Sequence, residues 1–154
     1  MQKVLLSGLP QYANDVLAKL AVKNTAAILA LSGELGAGKT TFVQALGKAL
    51  GISETMQSPT YVLMKKYQIP QGDTLTPGLS KVSPFKQLIH IDAYRLEKPE
   101  EFAALRPEQF LQDPKTLVVV EWPEKAAGAL PLADVTINFS SQDVGEEERY
   151  IEVI

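Results

Sequence analysis

The chain has 154 residues, 45% of them hydrophobic and 21% charged, which fits one globular domain that can bury a stable core without staples. Fifteen basic against 18 acidic residues give a net charge of −3, which argues against extensive direct contact with nucleic acid. The absence of cysteine excludes disulfides, thiolate metal sites and a cysteine nucleophile, and it fits a cytosolic protein.

At the N-terminus only Val4-Leu5-Leu6 is apolar after Lys3, too little for a signal-peptide core, and no later run approaches the length of a membrane span. A soluble, cytoplasmic protein is expected. Val16, Leu17 and Leu20 suit a short amphipathic helix over 11–22, and Ala26-Ala27-Ile28-Leu29-Ala30-Leu31 reads as a buried strand. A glycine-rich turn follows. Phe42, Ala45, Leu46, Ala49 and Leu50 then form one helical stripe, with Gly51 as its stop. Residues 61–68 look like a strand. The segment 69–86 contains Pro70, Gly72, Pro77, Gly78 and Pro84 and reads as a long surface loop. Residues 87–92 form another strand, and 116–121 (Thr-Leu-Val-Val-Val-Glu) is the most apolar, hence central. Helical material fits between those two. Residues 134–140 and 149–154 pair as a terminal hairpin across a polar turn whose Glu146-Glu147-Glu148 run is a solvated loop. No internal repeat interrupts this order. It predicts a single α/β domain over 1–154, with three layers, a mostly parallel sheet and a C-terminal antiparallel hairpin.

Gly33-Glu34-Leu35-Gly36-Ala37-Gly38-Lys39-Thr40 matches G-x-x-x-x-G-K-[ST] at every fixed position, between a predicted strand and a predicted helix, the context a phosphate-binding P-loop requires. In such a loop successive backbone N–H groups converge on phosphate oxygens, and the following helix adds its positive end. Lys39 would reach the β- and γ-phosphates and Thr40 would place its hydroxyl on Mg²⁺. Thr41 suits helix capping at least as well as a ligand role. Asp92 and Glu121 close apolar strands, and in an open α/β sheet such strand ends face the ligand crevice. Either can hold Mg²⁺ directly or through water, or orient an attacking water. His90 shares a strand face with Asp92; a packed or hydrogen-bonded structural role outweighs one in positioning Asp92 or the phosphates. Trp122 is more simply a partly buried structural residue than a wall beside the nucleotide, but both readings stand.

Taken together, residues 33–42, Ser58-Pro59-Thr60-Tyr61, His90-Ile91-Asp92-Ala93-Tyr94-Arg95-Leu96 and Val120-Glu121-Trp122-Pro123 resemble the TsaE (YjeE) family over roughly 29–131. Four motifs occur in the family's order. The resemblance implies a P-loop NTPase fold and an ATPase needed, with TsaD and TsaB, for threonylcarbamoylation of adenosine 37 in tRNAs reading ANN codons. It implies ATP or ADP and Mg²⁺ as cofactors, with tRNA acted on through the partner complex. On this reading Gly33, Glu34, Leu35, Gly36, Ala37, Gly38, Lys39, Thr40, Thr41 and Trp122 bind the nucleotide, and Thr40, Asp92 and Glu121 serve the metal. Asp92, Glu121 and Thr60 serve hydrolysis, Thr60 as a switch threonine within Ser58-Pro59-Thr60. Arg95 would lie near the nucleotide or the partner surface, against the simpler reading of a surface ion pair. Two departures stand out: 69–86 looks like an insertion, and Phe102 and Leu105-Arg106-Pro107 replace the leucine and Leu-Gly pattern that commonly follows Pro99-Glu100-Glu101.

Two rivals share the loop. A small-molecule kinase needs an arginine-rich lid, whereas this chain has only Arg95, Arg106 and Arg149, spread along the sequence. A non-hydrolysing nucleotide switch would use the same 58–60 segment without turnover. With no evident arginine finger of its own, an ATPase of this kind is expected to turn over when engaged with its partners.

Overall fold

The computed structural model describes residues 1–57, 63–71 and 83–154. Among them lie strands β1 (Gln2–Leu5), β2 (Ala27–Gly33), β3 (Met64–Gln68), β4 (Gln87–Asp92), β5 (Thr116–Glu121), β6 (Val135–Ser140) and β7 (Glu148–Val153), with helices α1 (Leu9–Lys19) and α2 (Lys39–Ala49). The strands form one sheet in the order β1-β7-β6-β2-β5-β4-β3. Its four inner strands, β6, β2, β5 and β4, run parallel, while β7, β1 and β3 join antiparallel at the two sides. The expected terminal hairpin is β6–β7.

The alternation of side chains along each inner strand divides the core in two. Ala27, Leu29 and Leu31 of β2, Leu117 and Val119 of β5 and Leu88 of β4 pack with α1 and α2. Ile28, Val118, Val120, Ile89 and Ile91 face the other way, against Leu96, Phe102, Phe110 and Ala126. All six residues of β5 are buried, as its composition predicts, although β2 stands at the middle of the sheet.

Several expectations need correction. Both α-helices pack on one face. The third layer and the stretch between β4 and β5 consist of short 3-10 turns, at Ala93–Arg95, Pro99–Leu105 and Pro107–Gln109. Prolines head the last two, and Arg106 between them has φ +51, so no helix can run through. The first helix starts at Leu9, with Pro10 in its first turn, and ends at Lys19. β1 carries too little apolar alternation to be read as a strand. It is an edge strand of mostly exposed residues. The ends of the expected surface loop belong to the core: Ile69 and Phe85 are buried, and Ile69 N–H donates to the Lys86 carbonyl at 2.9 Å. The rest of that segment lies partly outside the described residues, as do Tyr61 and Val62 of the expected strand. Among the described residues no helix is long and apolar enough to cross a membrane.

Candidate functional site

The parity that sorts the core also selects the site. Glu121 follows Leu117 and Val119 by twos, and His90 and Asp92 follow Leu88, so all three project from the face that carries α2. Asp92 and Glu121 are register partners across β4 and β5. Where β2 ends, the chain turns through the glycine-rich loop and enters α2 at Lys39. Gly36 and Gly38 have φ of +78 and +101, backbone that the loop needs and side chains resist. Gly38 is the N-cap of α2 and among the described residues no side chain caps the helix, so its first N–H groups face the cleft uncapped. The capping role considered for Thr41 is not used.

The cleft measures about 320 Å³ and is lined by Leu35, Gly36, Gly38, Lys39, Thr40, Thr41, Asp92, Tyr94, Glu121, Trp122 and Arg149. Most of the loop is therefore where the motif predicts. Gly33, Glu34 and Ala37 do not line it. Gly33 closes β2, Ala37 is packed in the core, and the Glu34 carboxylate turns outward to the β6–β7 hairpin. There its Oε1 accepts from Ser141 N at 2.6 Å, Ser141 Oγ at 3.0 Å and Ser140 Oγ at 3.2 Å. Desolvation pushes the Glu34 pKa up, but these hydrogen bonds outweigh it and hold the group below the ordinary carboxylate value.

Lys39 is 4% exposed. Its Nζ donates to the carbonyls of Gly33 at 2.7 Å and Glu34 at 2.8 Å and sits 4.0 Å from the centre of the Trp122 ring. Desolvation lowers its pKa, and the carboxylates of Glu121, Glu124, Glu34 and Asp92 offset part of that shift. Thr40 Oγ1 lies 3.1 Å from both Glu121 oxygens. Glu121 is 2% exposed, and its Oε1 meets His90 Nε2 at 2.8 Å. Asp92 lines the cleft and also accepts from Tyr94 N at 3.0 Å, so the strand-end cap and the cleft position coincide. Trp122 packs against Tyr94 with ring centres 5.0 Å apart and planes tilted by 52°, and it lines the cleft as a wall.

Arg95 is exposed and outside the cleft lining. Thr60 and the rest of Ser58-Pro59-Thr60 lie outside the described residues. Sequence reasoning missed Arg149. It comes from β7, packs its side chain against Gly38 and lines the cleft. Its Nη1 donates to the carbonyls of Glu146 and Glu148, while Nε is buried without a partner among the described residues. Only the fold of the hairpin over the loop brings it there, 110 residues from Lys39 in sequence.

The donor set of Thr40, Glu121 and Asp92 is made of hard oxygens, with two carboxylates and a hydroxyl at one strand-end crevice. That fits Mg²⁺, which keeps several waters and takes one or two carboxylates. Among the described residues no group of three or more acidic or histidine side chains is arranged to hold a metal by itself.

Comparison with known proteins places the chain in a family. The model of the family described as "Threonylcarbamoyl adenosine biosynthesis protein TsaE" matches residues 9–151. The chain belongs to the TsaE family. The tRNA threonylcarbamoyladenosine biosynthesis protein TsaE of Haemophilus influenzae is 34% identical over 91% of this chain and 77% of that protein. That of Synechocystis is 39% identical over 64% of this chain, which spans about half its length, 55%. The crystal structure of Bacillus subtilis YdiB shares the fold, with a TM-score of 0.63 at 24% identity over 97% of this chain and 80% of that one.

Proposed function

We propose that this TsaE-family chain is a P-loop ATPase that binds Mg-ATP and acts in tRNA threonylcarbamoyladenosine biosynthesis, hydrolysing ATP when engaged with TsaD and TsaB. The observation that carries the reading is the buried Lys39 ammonium, which among the described residues is held by loop carbonyls and the Trp122 ring, with no ion pair. It stands at the uncapped start of α2, beside the Thr40–Glu121 pair. A cation desolvated without an anionic partner, next to converging N–H groups, is a site for phosphate.

On this reading the loop N–H groups and α2 cradle the phosphates, and Lys39 and Arg149 supply positive charge. Trp122 and Tyr94 form an apolar wall. Thr40, Glu121 and Asp92 would hold Mg²⁺, which when bound offsets the charge on the transferred phosphoryl oxygens. A water attacks the γ-phosphorus and the bond to the β–γ bridging oxygen breaks; Glu121 or Asp92 orients that water. Partner proteins complete the site or fix the 58–60 segment. The net charge of −3 leaves tRNA binding mainly to them.

The test is reconstitution of tRNA modification from TsaD, TsaB, threonylcarbamoyl adenylate and an ANN-decoding tRNA, with wild-type chain, Lys39→Ala, or neither. Multiple-turnover product is expected only with the wild type. Lys39→Ala should also weaken ATP binding by about 1.5–3 kcal/mol, one charge-assisted contact. Product formation independent of the chain, with active partners, would overturn the proposal.

A further inference from the structure

His90 is the single histidine of the chain and is completely buried. An imidazole among apolar strands is costly unless its polar atoms are used, and only one of them is. Nε2 lies 2.8 Å from Glu121 Oε1, whereas Nδ1 has no partner among the described residues. This asymmetry selects the tautomer. Oε1 also faces the Thr40 hydroxyl at 3.1 Å, so Nε2 carries the hydrogen and donates it, because hydrogen on Nδ1 would be a buried donor without an acceptor.

The contact runs diagonally along the sheet. His90 is in register with Val119, and Glu121 follows by two on the same face, opposite Asp92. His90 therefore reaches forward to Glu121 and not to its strand neighbour Asp92. A glutamate at the end of a strand has three free torsions. Here Oε1 is fixed by His90 and Thr40, while Oε2 is met by Thr40 alone among the described residues and keeps accepting capacity toward the cleft.

We propose that His90 is a positioning residue that donates from Nε2 to Glu121 Oε1 and so holds the other carboxylate oxygen toward the cleft, for a cation or a water. This rests on the ATPase reading for its kinetic consequence. The hydrogen bond and tautomer stand apart from that reading.

Two measurements test it. The lone histidine makes ring-¹⁵N NMR of the whole chain unambiguous. Hydrogen on Nε2 is expected, with the Nε2 signal displaced in Glu121→Gln. An Nε2 without hydrogen, or one unchanged in that variant, would overturn the proposal. The second measurement compares His90→Gln, whose amide reaches the Nε2 position, with His90→Asn, whose shorter amide does not. With TsaD and TsaB present, Asn should lower ATP turnover by about 10- to 100-fold, as loss of an outer partner typically does, with metal-free ATP affinity unchanged, and Gln should restore most of it. In the Glu121→Gln background the Asn variant should add no further loss, since both changes break one unit. Equal effects of Gln and Asn, or multiplying losses, would assign His90 to packing alone. A wild type that binds and hydrolyses no ATP would instead sink the proposed function, and the NMR result would still decide the inference.

Discussion

Two glycines of the loop, Gly33 and Gly36, make different demands on a side chain, and alanine substitution separates them. Gly33 has φ +135, and a Cβ placed on it would lie 2.2 Å from the Phe139 carbonyl oxygen, on the neighbouring strand to which it is register-paired. Gly36 has φ +78 with nothing within 4 Å of its Cβ position. Gly36→Ala therefore costs only the left-handed backbone, about 1–2 kcal/mol. Gly33→Ala adopts a backbone region that belongs essentially to glycine, at about 1–3 kcal/mol. It also drives a methyl into a backbone oxygen that cannot rotate away, so the end of β6 must shift and lose a ladder hydrogen bond worth about 1 kcal/mol. The sum is about 2–4 kcal/mol, a large part of the ~5–15 kcal/mol of a typical domain. Urea unfolding of both variants, with the slope checked against the wild type, measures the difference. A Gly33→Ala variant no less stable than Gly36→Ala would refute the reasoning.

Arg149→Ala should weaken ATP binding by roughly tenfold, about one charge-assisted contact at the low end of its range, with Arg149→Lys intermediate because the planar fork is lost. Isothermal titration reads this, and an unchanged Kd would remove Arg149 from the site. Glu34 has a lowered pKa, so its contribution to stability is present above the ordinary glutamate value and is lost as pH falls through the folded value. The stability difference between wild type and Glu34→Gln should therefore be largest at neutral pH and shrink below that range. A pH-independent difference in denaturant midpoints would show that the Ser141 contacts do not depend on the charge.

Much of this was legible in the sequence because it follows from periodicity and from one dense motif. β4 and β5 occupy the residues their apolar runs predict, and the carboxylates that close them share the cleft with the loop. Glu34 shows the limit of a motif read as a unit: membership in the pattern says nothing about direction, and its side chain turns to Ser141. Arg149 was illegible for a different reason. Its place depends on β7 pairing with β6 and on the hairpin lying over Gly38, a long-range arrangement with no local signature. The 3-10 turns between β4 and β5 replace the expected helix because Pro99, Arg106 and Pro107 set the backbone, and propensity alone does not weigh those breaks.

The way opposite charges share this cleft bears on how a ligand enters. Among the described residues Lys39 forms no ion pair; its ammonium is held by the neutral dipoles of two carbonyls. Glu121 is likewise held by a hydroxyl and an imidazole. A direct Lys39–Glu121 pair would be hard to open in so buried a site, because separating it strands two desolvated charges. Carbonyl and hydroxyl partners are exchanged at lower cost, since a charged replacement strengthens the contact in the same low-dielectric setting. Under the proposed function Mg-ATP brings the two complementary charges together, phosphate for Lys39 and a cation for Glu121 and Thr40. A nucleotide without the metal satisfies only the first. Under that reading these contacts favour the metal complex over either component, and they do so while keeping each of these side chains within the cleft.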